Sequence, residues 1–209
     1  MTYTIHRYPA ELIDVVRLVD GSKVTLRPVL PQDADIMQSF VRTLSEESRR
    51  NRFFRALREL PKDLLTRFTN VDYETHLALL AEVFVDGAEV VVGEARYVRG
   101  DDSRAEFAVA VADEWHGKGI GRMLLNVLQQ RAAAEGIAMI HGQTLPANGA
   151  MQAVARKVGF EIAPDPDEPG VLRLEKRIGP HAELQRNAVS GLEPAAVDRW
   201  GAVLELRSA

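Results

Sequence analysis

Apolar and polar residues follow strand and helix periods in turn along this chain, and the pattern predicts one sheet with helices packed on it. Two short β-branched runs flank Asp20 and Gly21, which predicts a hairpin with its second strand at residues 24–27. Pro31 then opens a helix whose apolar residues recur at helical spacing. A second short helix follows with Ser45 as its N-cap, and a third is again opened by proline.

The middle of the chain has the pattern of strands. Two long apolar runs are joined by a turn at residues 86–88, and a third strand covers residues 105–113. The next apolar-periodic segment predicts a helix over residues 121–135, which Gly136 ends as a C-terminal cap. The remaining elements are a buried strand, a helix and two strands, at residues 137–145, 148–158, 159–163 and 171–178.

This order of elements predicts the fold class α/β (α+β). We expect a mixed, mostly antiparallel sheet flanked by helices in a single domain, rather than a repeated strand–helix alternation. That domain is expected to cover residues 1–178. Residues 179–209 carry scattered apolar residues and one tryptophan. We expect them to form a C-terminal appendage of unknown role, which either docks on the domain or binds a partner.

Composition narrows the classes of function. The chain has 209 residues, 46% of them hydrophobic, which suffices for one well-packed domain. A formal net charge of −4 gives no support for general binding to nucleic acid or membrane surfaces. The sequence has no cysteine, which excludes disulfides, thiolate metal sites and a cysteine nucleophile. No segment has the apolar length of a signal peptide or a membrane span, so we expect a cytoplasmic protein.

The glycine-rich segment before the long predicted helix is the first candidate for chemistry. Gly117, Gly119 and Gly121 alternate there, and backbone amides at the start of a helix attract anions. The spacing fits neither a Walker loop, for which Lys118 is misplaced, nor a dinucleotide-binding fingerprint. A phosphate-binding loop and a plain turn between strand and helix therefore both remain open at this point.

Residues 116–125, "HGKGIGRMLL", look like the acyl-CoA-binding motif of the GNAT acetyltransferase superfamily, Gln/Arg-x-x-Gly-x-Gly/Ala. The resemblance implies a GNAT-like domain with acetyl-CoA as cosubstrate and no metal. It also implies that the loop holds the pyrophosphate of the coenzyme through His116, Gly117, Lys118, Gly119, Ile120 and Gly121. His116 stands where glutamine or arginine is usual. Arg122 either pairs with a phosphate or is a surface residue of the first helical turn.

The resemblance covers residues 24–177. The opening half of this segment is similar to the GNAT domain of bacterial protein-lysine acetyltransferases. The strings "LS.ES...RFF" and "T..DY" of that group match this chain between residues 44 and 73. A protein lysine is therefore the expected acceptor of the acetyl group. A small amine or amino-acid metabolite, and a coenzyme-binding sensor without turnover, remain as alternatives. The sequence leaves the oligomeric state open, a homodimer included.

Acetyl transfer to an amine needs a base, because a lysine side chain is mostly protonated at neutral pH. Glu106 is the predicted base. In its strand, Phe107, Val109 and Val111 share one face, whereas Glu106 shares the other face with alanines, which leaves room for a ligand. The resemblance agrees, since acidic residues on this strand act as base in related enzymes. The alternative is a surface glutamate beside a helix-covered face.

Other groups could take or give protons. Glu82 and Glu94, on neighbouring strands, are reserve candidates for the base, while His76 is more typical of a packing or surface histidine. Many family members carry a tyrosine that protonates the leaving thiolate. Here Ala155 stands at that position, so another group or water must serve, or none is needed.

The coenzyme arm has further predicted contacts. The resemblance implies that main-chain groups of Val109 and Val111 bind the pantetheine amides, and that Asn148 touches the pantetheine arm. Asn148 is also a plausible N-cap for the helix that it precedes. The arginine-rich segment at residues 47–58 is interpreted as a solvated helix face with its two phenylalanines inward. Contact with an acidic protein substrate is the alternative.

Overall fold

A computed structural model describes residues 7–100 and 102–179 of the chain. Its strands are β1 (Asp14–Arg17), β2 (Lys23–Pro28), β3 (His76–Val85), β4 (Ala88–Arg99), β5 (Arg104–Val111), β6 (Met139–Thr144), β7 (Glu161–Pro164) and β8 (Leu172–Arg177). Its helices are α1 (Ala34–Thr43), α2 (Glu46–Phe53), α3 (Lys62–Thr69), α4 (Ile120–Ala134) and α5 (Gly149–Lys157). Short 3-10 turns lie at Ala10–Leu12, Pro31–Asp33 and Asp113–Trp115.

The strands form one sheet in the order β1-β2-β3-β4-β5-β6-β8-β7. Neighbouring strands are antiparallel except β5 and β6, which run parallel because α4 crosses between them. The predicted hairpins are both present, and Gly87 (φ +84°) makes the turn between β3 and β4. The mixed, mostly antiparallel sheet flanked by helices is thus confirmed, in a single domain.

The helices pack on the sheet through the apolar stripes that the sequence predicts. In α1 the buried side chains are Met37, Phe40 and Val41, which recur at helical spacing. α4 packs against the sheet at Gly93. A Cβ there would lie 3.0 Å from side chains of both Ile120 and Leu124, tighter than an ordinary contact, so glycine favours the close approach of the helix to β4.

Local signals in the sequence set the helix ends. The Ser45 hydroxyl accepts a hydrogen bond from the backbone N–H of Ser48, which confirms the predicted N-cap of α2. Gly136 follows α4 with a φ of +75°, as a C-terminal glycine cap requires. α4 begins at Ile120, one residue earlier than predicted, with Gly119 as its N-cap.

One strand differs from its prediction. β6 was expected to be buried, yet its residues alternate between half-buried and buried. Ile140 is buried whereas His141 on the opposite face is half-buried. The predicted appendage, apart from Gly179, lies outside the described residues. Within the described ranges, no helix is long and apolar enough to cross a membrane.

Candidate active site

The central feature of the site is the separation of β5 from β6. Within the described residues, the parallel pairing of the two strands ends at Glu106 and His141. β5 nevertheless continues to Val111 and β6 to Thr144, so the two strands diverge beyond this pair. The sheet therefore opens along the second half of β5.

Main-chain groups of β5 face this opening. The backbone N–H of Ala112 donates to the carbonyl of Val92, so the backbone groups of even-numbered residues along β5 hydrogen-bond to β4. The backbone groups of odd-numbered residues point away from β4, toward β6. The backbone groups of Phe107, Val109 and Val111 accordingly point into the opening. The carbonyl oxygen of Val111 lies 2.8 Å from the ring Nε2 of His116, on the side of the glycine-rich loop.

A cavity of about 550 Å³ occupies the opening and the space beside it. Its size is within the usual range for small-molecule sites. It is lined by every residue that the sequence analysis proposes for the site: Glu106, Val109, Val111, His116, Gly117, Lys118, Gly119, Ile120, Gly121, Arg122 and Asn148. The structure thus brings together residues that lie up to 42 positions apart in the chain, counting from Glu106 to Asn148 (148 − 106).

The loop before α4 has the geometry of an anion-binding cradle. Gly117 and Gly119 have φ angles of +75° and +92°, a left-handed conformation that favours glycine. The first hydrogen bond within α4 runs from the N–H of Met123 to the carbonyl of Gly119, at 3.0 Å. The amides before Met123 therefore have no partner within the helix, and they face the cavity together with the positive end of the helix dipole.

Cationic side chains surround the cradle. Lys118, Arg122 and Lys157 all line the cavity. The Lys118 ammonium lies 3.0 Å from the Asp20 carboxylate and 4.4 Å from the ring centre of Trp115. Hydrogen bonds from Ser22, and then from Lys118, lower the pKa of Asp20 to about 2. The hairpin between β1 and β2 thus reaches the loop, which the sequence alone did not indicate.

Glu106 lies where the two strands begin to separate. Its residue is only 7% exposed, so the alternative interpretation as a surface glutamate is wrong. In the register with β4 it lies opposite Val98, and Ala108 and Ala110 follow on the same face. Among the described residues that line the cavity, Glu106 carries the one carboxylate. That position suits a base acting on a ligand in the cavity.

The reserve carboxylates are committed elsewhere. Glu94 is 2% exposed, with one oxygen 2.5 Å from Arg96 and the other 3.4 Å from Arg52. Glu82 accepts two hydrogen bonds from the Arg27 guanidinium, at 2.8 and 2.6 Å. Neither carboxylate belongs to the described lining of the cavity. Both therefore act as partners of arginine side chains.

His76 lies beside the buried charges of Glu94 and Arg96. Its Nε2 lies 3.2 Å from Arg96, and it does not belong to the described lining of the cavity. Burial, and then the charge of Arg96, lower the pKa of His76 to about 3. The ring is therefore neutral at physiological pH and has a packing role.

The arginine-rich segment corrects the sequence analysis. Arg52 was interpreted as part of a solvated helix face, but its side chain is only 4% exposed. It packs 5.0 Å from the ring centre of Phe53 and 5.5 Å from that of Phe68, and Glu94 compensates its charge. Phe53 is buried as expected, whereas Phe54 is half-buried beside the cavity.

α2 also supplies a cavity wall that sequence reasoning missed. Ser48, Asn51 and Arg52 line the cavity, together with Phe54 just after the helix. Their spacing of three and four residues is the signal that could have found them, because it places them on one helix face. The string "ES...RFF" in the family resemblance covers the same residues.

The start of α5 forms the wall near β6. The Asn148 side chain accepts a hydrogen bond from the N–H of Met151 at 3.0 Å, so its predicted capping role is confirmed, and it lines the cavity as well. Ala155 is fully buried and lies outside the described lining. In the described ranges, no group of three or more His, Asp or Glu side chains is arranged to hold a metal ion.

Comparison with known proteins matches this chain to acetyltransferases. Residues 39–160 match the sequence model of the acetyltransferase (GNAT) family. The chain is 31% identical to acetyltransferase PA5475 of Pseudomonas aeruginosa over 155 residues, which cover 74% of this chain and 83% of the relative. It is also 31% identical to acetyltransferase Pat of Mycolicibacterium smegmatis over 69% of this chain, but spans only 43% of that relative.

A third relative is named for small-molecule substrates. It is the L-methionine sulfoximine/L-methionine sulfone acetyltransferase of Pseudomonas aeruginosa, 33% identical over 50% of this chain and 64% of its own length. Among solved structures, the GNAT domain of S. lividans PAT superposes with a TM-score of 0.75 at 30% identity. That match covers 82% of this chain and 99% of the other.

Proposed function

This chain belongs to the GNAT family of acetyltransferases and is an acyl-CoA-dependent N-acetyltransferase with acetyl-CoA as cosubstrate, and we propose that its acceptor is a lysine side chain of a protein. The observation that supports amine acetylation at this site is the position of Glu106. It is the one carboxylate among the described residues lining the cavity, at the point where β5 and β6 separate. The proposed setting is the cytoplasm.

The cradle before α4 would hold the pyrophosphate. Amides at the start of α4 and the left-handed turns at Gly117 and Gly119 supply donors without a side chain in the way. Lys118 and Arg122 add positive charge beside them. His116 supplies a ring nitrogen bonded to Val111 instead of a long side chain, so its role would be to hold the loop against β5.

The pantetheine arm would then lie alongside β5, in the place of a neighbouring strand. The backbone groups of Val109 and Val111 point into the opening, where amides of the arm could replace the missing strand partner. Asn148 bounds the same space from α5. This arrangement would bring the thioester toward Glu106.

The chemistry is direct attack. Glu106, acting directly or through one water, takes a proton from the acceptor ammonium, and the neutral nitrogen attacks the thioester carbonyl carbon. The carbon–sulfur bond breaks and its electron pair leaves with the sulfur, while the nitrogen gives its second proton to water or to the departing thiolate, which leaves a neutral amide. No covalent enzyme intermediate is needed, which agrees with a sequence that has no cysteine.

Two observations bear on the acceptor. The resemblance of residues 44–73 to bacterial protein-lysine acetyltransferases favours a protein lysine, and α2 from that segment lines the cavity. The relative named for methionine sulfoximine favours the second candidate, a small amine or amino-acid metabolite. Incubation of acetyl-CoA with lysate protein and, separately, with a panel of small amines would separate the two acceptors.

The same assay tests Glu106. Glu106→Gln should lower kcat by about 10²–10⁴-fold, the usual contribution of a general base, while the Kd of CoA stays unchanged. Glu161→Gln is the matched control, because Glu161 is exposed on β7 away from the cavity lining. Full turnover in Glu106→Gln would remove the base assignment. Binding of CoA by the wild type without turnover on any amine would favour a sensor.

A further inference from the structure

A buried hydroxyl at the end of β6 lacks a hydrogen-bond partner. Thr144 is the last residue of β6 and is only 1% exposed, yet its Oγ1 has no partner among the described residues. Thr144 lines the cavity. A buried hydroxyl without a partner costs about 1–3 kcal/mol, and folded proteins contain few such groups. A valine of the same shape would avoid this cost, so the hydroxyl points to a ligand.

Two other buried side-chain polar atoms without partners, among the residues that the structure describes, are of a different kind. They are the Nε atoms of Arg52 and Arg131. Each guanidinium already pairs with a carboxylate through another nitrogen, Arg52 with Glu94 and Arg131 with Glu135. Thr144 has a single donor, and that donor is unused.

The strand register locates Thr144 along the opening. The pairs Ala105–Ile140 and Glu106–His141 differ by 35 positions (140 − 105 and 141 − 106). Extended past the point of separation, the same offset places Thr144 across the opening from Val109 (144 − 35). That level lies three residues beyond Glu106, or about 10 Å along the strand. The cradle lies farther along, beyond Val111.

We propose that the Thr144 hydroxyl donates a hydrogen bond to the sulfur of the coenzyme. The inference rests on the proposed transfer from acetyl-CoA in this cavity. The reacting carbonyl must lie within reach of Glu106 or of a water between them, so the sulfur attached to it lies between Glu106 and the cradle. Thr144 borders this interval of the opening.

The bond matters most when the sulfur leaves. As nitrogen attacks, the carbon–sulfur bond breaks and the electron pair stays on sulfur, where negative charge develops. The Thr144 hydroxyl keeps its proton and stabilises this charge as a hydrogen-bond donor. Full protonation is not required, because thiols of this kind have a pKa of about 8.5. The Thr144 hydroxyl also replaces the hydrogen-bond donor that α5 lacks, because Ala155 has no hydroxyl group.

Binding of two coenzyme analogues tests the contact without turnover. Thr144→Val preserves the side-chain shape and removes the donor, and Thr144→Ser restores it. At a pH above the thiol pKa, Thr144→Val should weaken CoA about tenfold and leave desulfo-CoA, which lacks the sulfur, unchanged. Thr144→Ser should recover most of the loss. The pKa of the bound CoA thiol, followed by thiolate absorbance, should rise in Thr144→Val.

Three results would overturn the proposal. An equal loss for CoA and desulfo-CoA would assign the hydroxyl to an amide of the pantetheine arm. No loss for either would mean that water alone satisfies it. Failure of Thr144→Ser to recover binding would point to altered packing, which the unfolding midpoint of each variant would register. Absence of CoA binding by the wild type would instead overturn the proposed function.

Discussion

Asp113 accepts a hydrogen bond from the Ser45 hydroxyl at 2.6 Å, although the two residues are 68 positions apart. Its carboxylate also accepts the Ser45 backbone N–H at 2.9 Å and the Ser48 hydroxyl at 2.8 Å. Asp113 begins the turn that leads into the glycine-rich loop, and Ser45 caps α2. One carboxylate therefore ties the cavity wall formed by α2 to the loop on its other side.

Removing this carboxylate should loosen α2. Asp113→Asn places an N–H group where an oxygen now accepts, so we expect a loss of about 1 kcal/mol in unfolding free energy. The effect should be local, because α2 has only eight residues and depends on tertiary contacts. Amide hydrogen exchange in residues 46–53 should accelerate several-fold, whereas residues 62–69 in α3 should not change.

Glu114→Gln is the control for this prediction. Glu114 is exposed in the same turn and, among the described residues, forms no hydrogen bond to α2, so its variant changes the charge alone. Equal acceleration in both variants would mean that charge near the helix end, and not the bonds of Asp113, holds α2.

The role of the glycine cradle in CoA binding can be tested by substituting two glycines of similar backbone conformation, one in the cradle and one in a distant turn. Gly119 and Gly170 have φ angles of +92° and +87°, and a Cβ at either would meet nothing within 4 Å. Alanine at either position should cost about 1–2 kcal/mol of stability because of the left-handed conformation. Only Gly119→Ala places a methyl group beside the cradle, so only it should weaken CoA binding, by about tenfold or more in calorimetry. Equal CoA binding in both variants would contradict the cradle.

The buried cluster of Glu94, Arg52 and Arg96 should be structural. Glu94→Gln leaves two buried guanidinium groups without their shared carboxylate, so we expect a loss of about 3–5 kcal/mol in urea unfolding. The control is Glu59→Gln, because the Glu59–Arg42 pair has side chains 57% and 59% exposed and should contribute less than about 1 kcal/mol. A stable but inactive Glu94→Gln would return Glu94 to the candidates for the base.

Acid should destabilise the protein through His76. Its pKa is lowered to about 3 in the folded protein, mainly by burial, against about 6.5 in the unfolded chain. Between those values the unfolded chain binds more protons, so stability is lost as pH falls from about 6.5 toward 3. The slope from this group is at most about 1.4 kcal/mol per pH unit.

His76→Gln removes the titration and keeps an acceptor for Arg96. Unfolding free energies measured from pH 7 to pH 4 should therefore fall less steeply in this variant than in the wild type. An identical slope in the two proteins would show that His76 does not contribute to the acid sensitivity.

Local signals explain why so much of the fold could be predicted. The apolar spacing that defines α1 and α4, the Ser45 cap and the glycine after α4 act within a few residues of the chain. The alternation of β5 also placed Glu106 and its alanines on one face, because side chains of a strand alternate. The glycines of the loop were identified from sequence, since few other residues adopt their backbone angles.

Features that depend on distant partners could not be predicted in this way. Arg52 looked like part of a solvated face, because its neighbours are charged, yet Glu94, 42 positions away, compensates its charge in the interior. The ties from Asp113 to α2 are equally remote in sequence.

The sequence by itself determined the order of the helices and strands, the family resemblance and the residue types of the site. Only the tertiary structure decided that β5 and β6 separate after Glu106 and His141, and that α2 lines the cavity. It also left Thr144 buried with an unused donor. The physical reason is that periodicity and capping act between near neighbours, whereas strand separation, charge compensation and burial depend on which distant segments meet.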